Sequence, residues 1–368
     1  IYTVENTLSL HDALPISDVG LFEVDEATLP VVVGELRPAV AVFTNLFRDQ
    51  LDRYGEVDFV AKTWRQALRD MPARSTVLLN ADDPLVSGLG AETPAQVRYY
   101  GLDDERYGRG DPEHTADTRA CGRCGHRYEY QVNYYGHIGK YSCRNCGLRR
   151  PQPDIRAVTA VLENTVGSRC RLVTPRGELD LLAPVPGLYN VYNALAAVGA
   201  GLALDLDPAT LKQGIETFSA AFGRIERIEI DGRHVFMALV KNPVGFNEVL
   251  RTVFLDPSPK PLLILINDNI ADGTDISWLW DVDFELLPGK VADVTVSGTR
   301  AEDMAVRLKY ARVDPALVTV EQDLTAALRR ALSVTAPGET LYLLPTYTAM
   351  LQMREVMHRL GYVGRFWE

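Results

Sequence analysis

Four of the five cysteines constrain this chain more than any other residues. "CGRCG" and "CRNCG" set Cys121, Cys124, Cys143 and Cys146 in a C-x2-C-x18-C-x2-C pattern. Glycine after the second cysteine of each pair lets backbone amides turn toward the sulfurs. Four thiolates at about 2.3 Å then complete a tetrahedral zinc shell with no open position, so the spacing predicts a structural site. Two disulfides are the alternative, but a chain without a secretion signal keeps its thiols reduced. Residues 119–150 must therefore close on themselves as a small zinc ribbon, whatever surrounds them. Cys170 stands alone and reads as a packing residue.

Inside the ribbon lies "GHIGKYS", Gly136 to Ser142. It superficially resembles a phosphate loop, but it lacks the G-x-x-x-x-G-K-[ST] spacing and the following helix. It reads as a turn within the metal lobe. From Arg119 to Arg150 the lobe carries seven Arg or Lys residues and one acid, Glu129, with tyrosines at 128, 130, 134, 135 and 141. A solvated surface, an anionic substrate or partner, and nucleic acid all fit that composition.

The whole chain is acidic, with a net charge of −11 over 368 residues. That argues against a nucleic-acid binder relying on a global basic surface. The longest weakly polar run, "ALAAVGAGLALDL", is too short to span a bilayer and ends on acids, so no transmembrane segment is expected. Residues 1–17, "IYTVENTLSLHDALPIS", lack the basic start and apolar core of a signal peptide and resemble translated adapter sequence. They read as an artefactual or disordered leader.

Elsewhere the pattern is α/β. "AVAVFTN" (39–45) and "STVLLNADDP" (75–84) predict buried strands, with an amphipathic helix over 57–71 between them. Short β segments follow over 154–182. Two helices come next, the second capped by Asp207 with Pro208 at its first position. Beyond β segments at 225–231 and 234–240, "KPLLILIN", "VADVTVSG" and "ETLYLLP" predict parallel strands alternating with helices near 243–254, 300–311, 321–335 and 347–360. The expected organisation is a leader (1–17), a first domain (18–222) with the ribbon inserted at 119–150, and a smaller Rossmann-like domain (223–368).

Polar residues crowd the segment after the first strand: Thr44, Asn45, Arg48, Asp49, Gln50, Asp52 and Arg53. With "FEVDEA" (22–27), "NADDP" (80–84), "GLYNVYNALAA" (187–197), "FGRIE" (222–226) and "VKNPVGFNE" (240–248), the order of motifs resembles the Mur ligase family. The ribbon, "RDQLDRYGE" and "NDNIADGTDISWLWD" (267–281) are similar to its MurT-like, amide-forming branch. The likeness runs from about Asp18 to the C-terminus.

The resemblance implies a Mur ligase-type central ATPase domain followed by the Rossmann-like unit. It implies an ATP-dependent amide ligase, the synthetase subunit of a lipid II isoglutaminyl synthase. Such an enzyme phosphorylates the α-carboxyl of the D-glutamate in the lipid II stem peptide and lets ammonia displace the phosphate. Ammonia would come from a GatD-like glutaminase subunit, and the work would be done at the cytoplasmic face of a bacterial membrane, without nucleic acid. ATP, Mg2+ and structural Zn2+ are the implied cofactors.

Glu23 matches the family's metal-binding glutamate, and Asn45 and Asp49 fall where metal and phosphates are reached. Gln50 stands where many members have a metal-ligating histidine. Asn190 matches the adenine-contacting asparagine, Asp82 lies in a nucleotide-side loop, and Arg224 and Lys241 match cations that reach the phosphates. One of Asp268, Asp272 and Asp275 would complete the partner's Cys-His pair, Asp268 being preferred. Trp278 and Trp280 would suit a partner interface.

One family feature is missing from the printed residues. No G-T-x-G-K-T stretch precedes "FEVDEA", so this chain by itself is expected to bind ATP poorly and not to turn over. The competing readings are a Mur or folylpolyglutamate-type ligase that adds an amino acid, and a zinc-ribbon scaffold or nucleic-acid-binding protein without activity.

Overall fold

The computed structural model describes residues 2–3, 18–47, 57–110, 117–219 and 225–364. Asp49, Gln50 and Arg224, and the boundary expected at residue 222, lie outside them. Two six-stranded sheets organise the rest. The first has the order β10-β9-β8-β5-β4-β3, formed by β3 (Val40–Phe43), β4 (Thr76–Asn80), β5 (Gln96–Leu102), β8 (Ile155–Glu163), β9 (Gly167–Thr174) and β10 (Gly177–Ala183). Its β3, β4, β5 and β8 are parallel, and β8 to β10 form an antiparallel meander. A two-residue parallel ladder also joins β1 (Tyr2–Thr3) to β2 (Phe22–Glu23).

The strands of the first sheet show why they fold as they do. In β4, Val77 and Leu79 point into one apolar cluster with Phe43, Trp64 and Leu68, while Leu78 points into the other with Leu188, Val191 and Leu195. All three are fully buried, which is worth about 1.5–3 kcal/mol per side chain. A strand covered on both faces needs an unbroken apolar run, which is what "TVLLN" supplies. Helices α1 (Leu29–Leu36) and α2 (Val57–Arg69) cover the first face, and α4 (Leu188–Ala203) covers the second, α3 being the short turn Pro84–Ser87. In α4, Gly199 permits close approach: a Cβ there would sit 2.8 Å from the Leu78 Cδ2.

The second sheet has the order β11-β12-β16-β13-β14-β15, from β11 (Ile225–Ile230), β12 (Arg233–Ala238), β13 (Lys260–Leu265), β14 (Val291–Ser297), β15 (Val318–Val320) and β16 (Thr340–Pro345). Only the β11–β12 pair is antiparallel. Here too alternation divides β13, with Leu262 and Ile264 facing one core and Leu263 and Leu265 the other. Helices α6 (Pro243–Val253), α7 (Ala301–Tyr310) and α8 (Leu324–Val334) connect these strands, and α9 (Tyr347–Arg359) follows the last of them. Asp207 caps α5 (Pro208–Glu216) through the amides of Ala209 and Thr210, as its Asp-Pro signature predicts.

The ribbon occupies the connection between β5 and β8. Its hairpin is β6 (Glu129–Tyr135) and β7 (Ile138–Ser142), with Gly136 at φ +50° in the turn. "GHIGKYS" is therefore a turn and strand followed by no helix, and Lys140 donates to Glu105 at 2.8 Å. Tyr128, Tyr134, Tyr135 and Tyr141 are buried. They form the lobe's own core and its seat on the first sheet, so the aromatic residues do not make an exposed patch.

Candidate functional site

The candidate residues collect where parallel strands end. In the first sheet Asn45 follows β3, Asp82 and Asp83 follow β4, and Asp103 follows β5, all at the carboxyl edge where such sheets meet ligands. In the second sheet Lys241 follows β12, Asp268 follows β13, Thr299 follows β14 and Thr346 follows β16, again on one edge.

The segment after β3 is pinned by neighbouring strands. Asn80 donates to the Thr44 carbonyl at 2.9 Å, and the Tyr100 hydroxyl donates to the Phe43 carbonyl at 2.9 Å. The Leu46 amide donates to Asp83 Oδ2 at 2.9 Å. The other oxygen of Asp83 caps the short helix at Pro84 through the amides of Leu85 and Val86. Asn45 is half-buried and Glu23 exposed. Both offer hard oxygens of the kind magnesium accepts.

Asp82 is held by partners within the chain. Its fully buried carboxylate accepts from the Leu102 amide at 2.7 Å and the Tyr192 hydroxyl at 2.7 Å, and pairs with Arg150. Arg150 also reaches Asp103 at 3.0 Å and the Leu102 carbonyl at 2.9 Å. Burial pushes the Asp82 carboxyl above its ordinary range, and the guanidinium is the largest opposing influence. These partners take up the carboxylate, so Asp82 ties the exit of the ribbon to the sheet.

Asn190 is likewise engaged within the chain. It donates to the Pro186 carbonyl at 2.7 Å and accepts from Asn193 at 3.0 Å, which fixes the first turn of α4. Lys241 is exposed just before Asn242, whose side chain caps α6 by accepting from the Gly245 amide at 2.8 Å. Val244 in α6 belongs to the first sheet's core, and Tyr189 packs on both cores. The starts of α4 and α6 therefore meet, which brings Asn190 and Lys241 to the junction of the two sheets.

The three aspartates after β13 separate by environment. Asp272 is 5% exposed and caps α9, accepting from the Thr348 amide at 2.7 Å and its hydroxyl at 2.5 Å. Asp275 closes an Asx turn onto the Ser277 amide at 2.8 Å. Asp268 accepts from the Thr299 hydroxyl at 2.8 Å and Arg300 Nε at 2.7 Å. The Thr299 hydroxyl, with help from Arg300, holds its carboxyl below the usual range. Of the three, Asp268 is an ionised acceptor at a strand end, and Ile270, two residues on, is 90% exposed. Trp280 is 54% exposed and meets the exposed Tyr310 edge to face, with ring centroids 5.4 Å apart. Trp278 turns inward instead, toward Phe246.

The cysteines converge. Cys121 and Cys146 sulfurs are 3.6 Å apart, Cys124 and Cys143 sulfurs 3.5 Å, and all four lie within 4.8 Å of one another. A bonded pair would sit at about 2.05 Å, so no disulfide links them. Four thiolates about 2.3 Å from a common centre are spaced in this range, so the set fits a tetrahedral ion. The Asn145 side chain and the His126 amide lower the exposed Cys124 thiol to about 6, which favours the thiolate that a metal requires.

Several residues that build this region carried no sequence signal as site residues. Arg150, Asp103, His137 and Arg300 act through partners far away in sequence. Asp83 could have been found as a cap, because Asp-Pro is a helix-start signature.

Comparison with known proteins agrees with this architecture. The description "Mur ligase middle domain" matches residues 3–148, and "MurT ligase C-terminal" matches residues 239–350. The chain belongs to the Mur ligase family of ATP-dependent ligases. Within that family it is MurT-like: it is 35% identical over 341 residues to the lipid II isoglutaminyl synthase subunit MurT of Streptococcus pneumoniae, covering 92% of this chain and 74% of the relative. The Staphylococcus aureus (strain COL) subunit of the same name is 34% identical, covering 94% and 76%. Among solved structures, a pseudomurein peptide ligase type C from Methanothermus fervidus superposes with a TM-score of 0.68 at 23% identity, covering 90% of this chain and 65% of that one. MurF from Acinetobacter baumannii gives 0.65 at 17%, covering 92% and 64%. This chain thus spans somewhat under two thirds of those solved ligases.

Proposed function

We propose that this chain is the synthetase part of a glutamine-dependent amide ligase acting on the D-glutamate α-carboxyl of lipid II. The observation that carries the reading is Asp268, an ionised carboxylate at the end of β13 beside the exposed Ile270. That is where a partner's histidine could be oriented from outside the ligase. The 35% identical relative, named a glutamine-hydrolysing synthase subunit, supports the same reading.

Bound Mg·ATP would transfer its γ-phosphoryl group to the carboxylate, leaving ADP, and ammonia would then form the amide and release inorganic phosphate. The chain's own residues set up that reaction. Glu23 and Asn45 supply oxygens for the metal. Lys241 places a cation at the junction of the sheets, where charge gathers in phosphoryl transfer. Asn190, whose amide is held by Pro186 and Asn193 at the first turn of α4, joins the adenine side by family resemblance. Asp49 and Arg224 join this set by family resemblance.

A GatD-like glutaminase is the partner, with Ile270, Trp280 and Tyr310 as its apolar contact. Lipid II would be met at the cytoplasmic membrane face. Among the described residues, no helix is long and apolar enough to cross a bilayer. Zinc is the proposed ion for the four cysteines, and a first domain to residue 222 with a second from 223 remains the proposed division.

The test joins a G-T-x-G-K-T segment ahead of Asp18 and supplies a glutaminase subunit, lipid II, Mg·ATP and amide-labelled glutamine. Label should enter lipid II, and leaving out ATP or the glutaminase should abolish it. In Asp268→Asn, glutamine-driven labelling should fall by about 100- to 10,000-fold, as when a triad carboxylate is neutralised. Amidation from free ammonia should stay within about twofold, because the synthetase site is untouched. Equal loss with both nitrogen sources would remove Asp268 from the partner's machinery.

A further inference from the structure

The hairpin turn of the ribbon does more than close the lobe. Residues 132–139 are buried, although they lie in an insertion. Gly136 turns so close to Phe47 that a Cβ would sit 2.9 Å from its Cε1. His137 packs against Phe47 with the two rings tilted by 46° and their centroids 4.7 Å apart. Its side chain is fully buried, its Nε2 lies 3.3 Å from Asp83 Oδ2, and neither ring nitrogen has a hydrogen-bond partner among the described residues. A buried imidazole left this way is costly, by roughly 1–3 kcal/mol in general, so its place beside Asp83 calls for a reason.

That reason lies in the segment after β3. Asp83 Oδ2, the atom facing His137, is the atom that accepts from the Leu46 amide at 2.9 Å. His137 thus touches the segment twice, through Phe47 by ring packing and through Asp83 by polar contact. Two further contacts set the height of the hairpin: the Gly139 amide donates to the Asp82 carbonyl at 2.8 Å, and Tyr141 hydrogen-bonds Ser87.

We propose that His137 is a positioning residue through which the four-cysteine lobe holds the Asn45–Phe47 segment in register for the phosphate and metal side of the site. The lobe is then part of the ligase machinery, and metal binding at the cysteines sets the order of a segment on the neighbouring sheet. The proposal rests on the reading of Asn45 as a nucleotide-side residue only for its functional consequence; the mechanical link stands by itself.

The test is hydrogen exchange of the Leu46 and Phe47 amides in the full chain. His137→Ala should speed their exchange about tenfold or more while zinc content and the protection of β13 and β14 stay unchanged. His137→Gln, which can place a polar nitrogen near Asp83, should restore most of the protection. His137→Phe, which keeps only the ring packing, should not. Should the alanine variant fail to fold, the Gln and Phe variants decide alone: equal protection in both would overturn the proposal. Unchanged exchange in all three would overturn it too. Removing zinc from the wild type should loosen the same two amides, and their indifference to the metal would count against the link. If His137→Ala loosens them but Mg·ATP leaves them unaffected in the chain carrying a G-T-x-G-K-T segment, the positioning role holds and the nucleotide-side reading of Asn45 falls.

Discussion

Replacing Cys143 by serine is expected to empty the four-cysteine cluster and unravel the lobe around it. The reason is the size of the lobe's own core. Apart from the cysteines it holds Tyr128 and Tyr141 with the half-buried Tyr130 and Leu148, far too little apolar surface to offset the ordering of about thirty residues at roughly 1–2 kcal/mol each. Zinc binding in such sites supplies about 10–16 kcal/mol, so an ion held by the four sulfurs, as proposed, would be a main source of the lobe's stability. Metal analysis should fall from one zinc per chain to near zero, and proteolysis should begin cutting within 117–150. Acid should do the same reversibly, because thiolates must be protonated to release the metal. The Cys124 thiol, held near 6 by Asn145 and the His126 amide, would be among the last to take up a proton. A serine variant that kept stoichiometric zinc and a resistant lobe would show that the four sulfurs do not share an ion.

Asp82→Ala should be the most damaging single change in the first sheet. It leaves the Arg150 guanidinium, itself 10% exposed, without its buried counter-charge and strips the Leu102 amide and Tyr192 hydroxyl of their acceptor. Breaking a buried pair by removing one partner costs about 3–5 kcal/mol. Asp82→Asn keeps an acceptor and should cost less. The check is the denaturant midpoint, followed by tryptophan emission in the chain and by zinc release from the lobe. Because Asp82 joins the two, both signals should move together. Had Asp82 served the nucleotide instead, the asparagine variant would lose ATP binding at unchanged stability.

Much of the framework could be read in advance because its causes are local. "TVLLN" and "KPLLIL" announce strands buried on two faces, Asp207-Pro208 announces a helix start, and the cysteine spacing announces the metal lobe. Strand β5 was not anticipated, since Arg98 and Gln96 interrupt its apolar run, and β15 is only three residues long. The positions of the candidate residues were legible in outline, because Asn45 follows an apolar strand of the first sheet and Lys241 and Asp268 follow apolar strands of the second, each at a carboxyl end. What each aspartate does was not. Asp82 is paired with an arginine 68 positions away, and Asp272 with a threonine 76 positions away. No local pattern records such partners. The basic, aromatic composition of the ribbon was ambiguous for the same reason: its tyrosines are spent on docking, which composition cannot distinguish from display.

The insertion point of the ribbon bears on how the chain folds as well as on its final form. Tyr100 pairs with Ile155 and Leu102 with Ala157, so adjacent strands of one sheet are separated in sequence by the whole lobe. Until the lobe closes, bringing β8 to β5 means closing a loop of about fifty residues, an entropic cost that grows with loop length and slows folding when contacts are distant in sequence. A lobe already closed on its metal brings those ends together beforehand. Zinc would then act as a folding catalyst for the sheet, and refolding without it should show a slow phase that added metal abolishes.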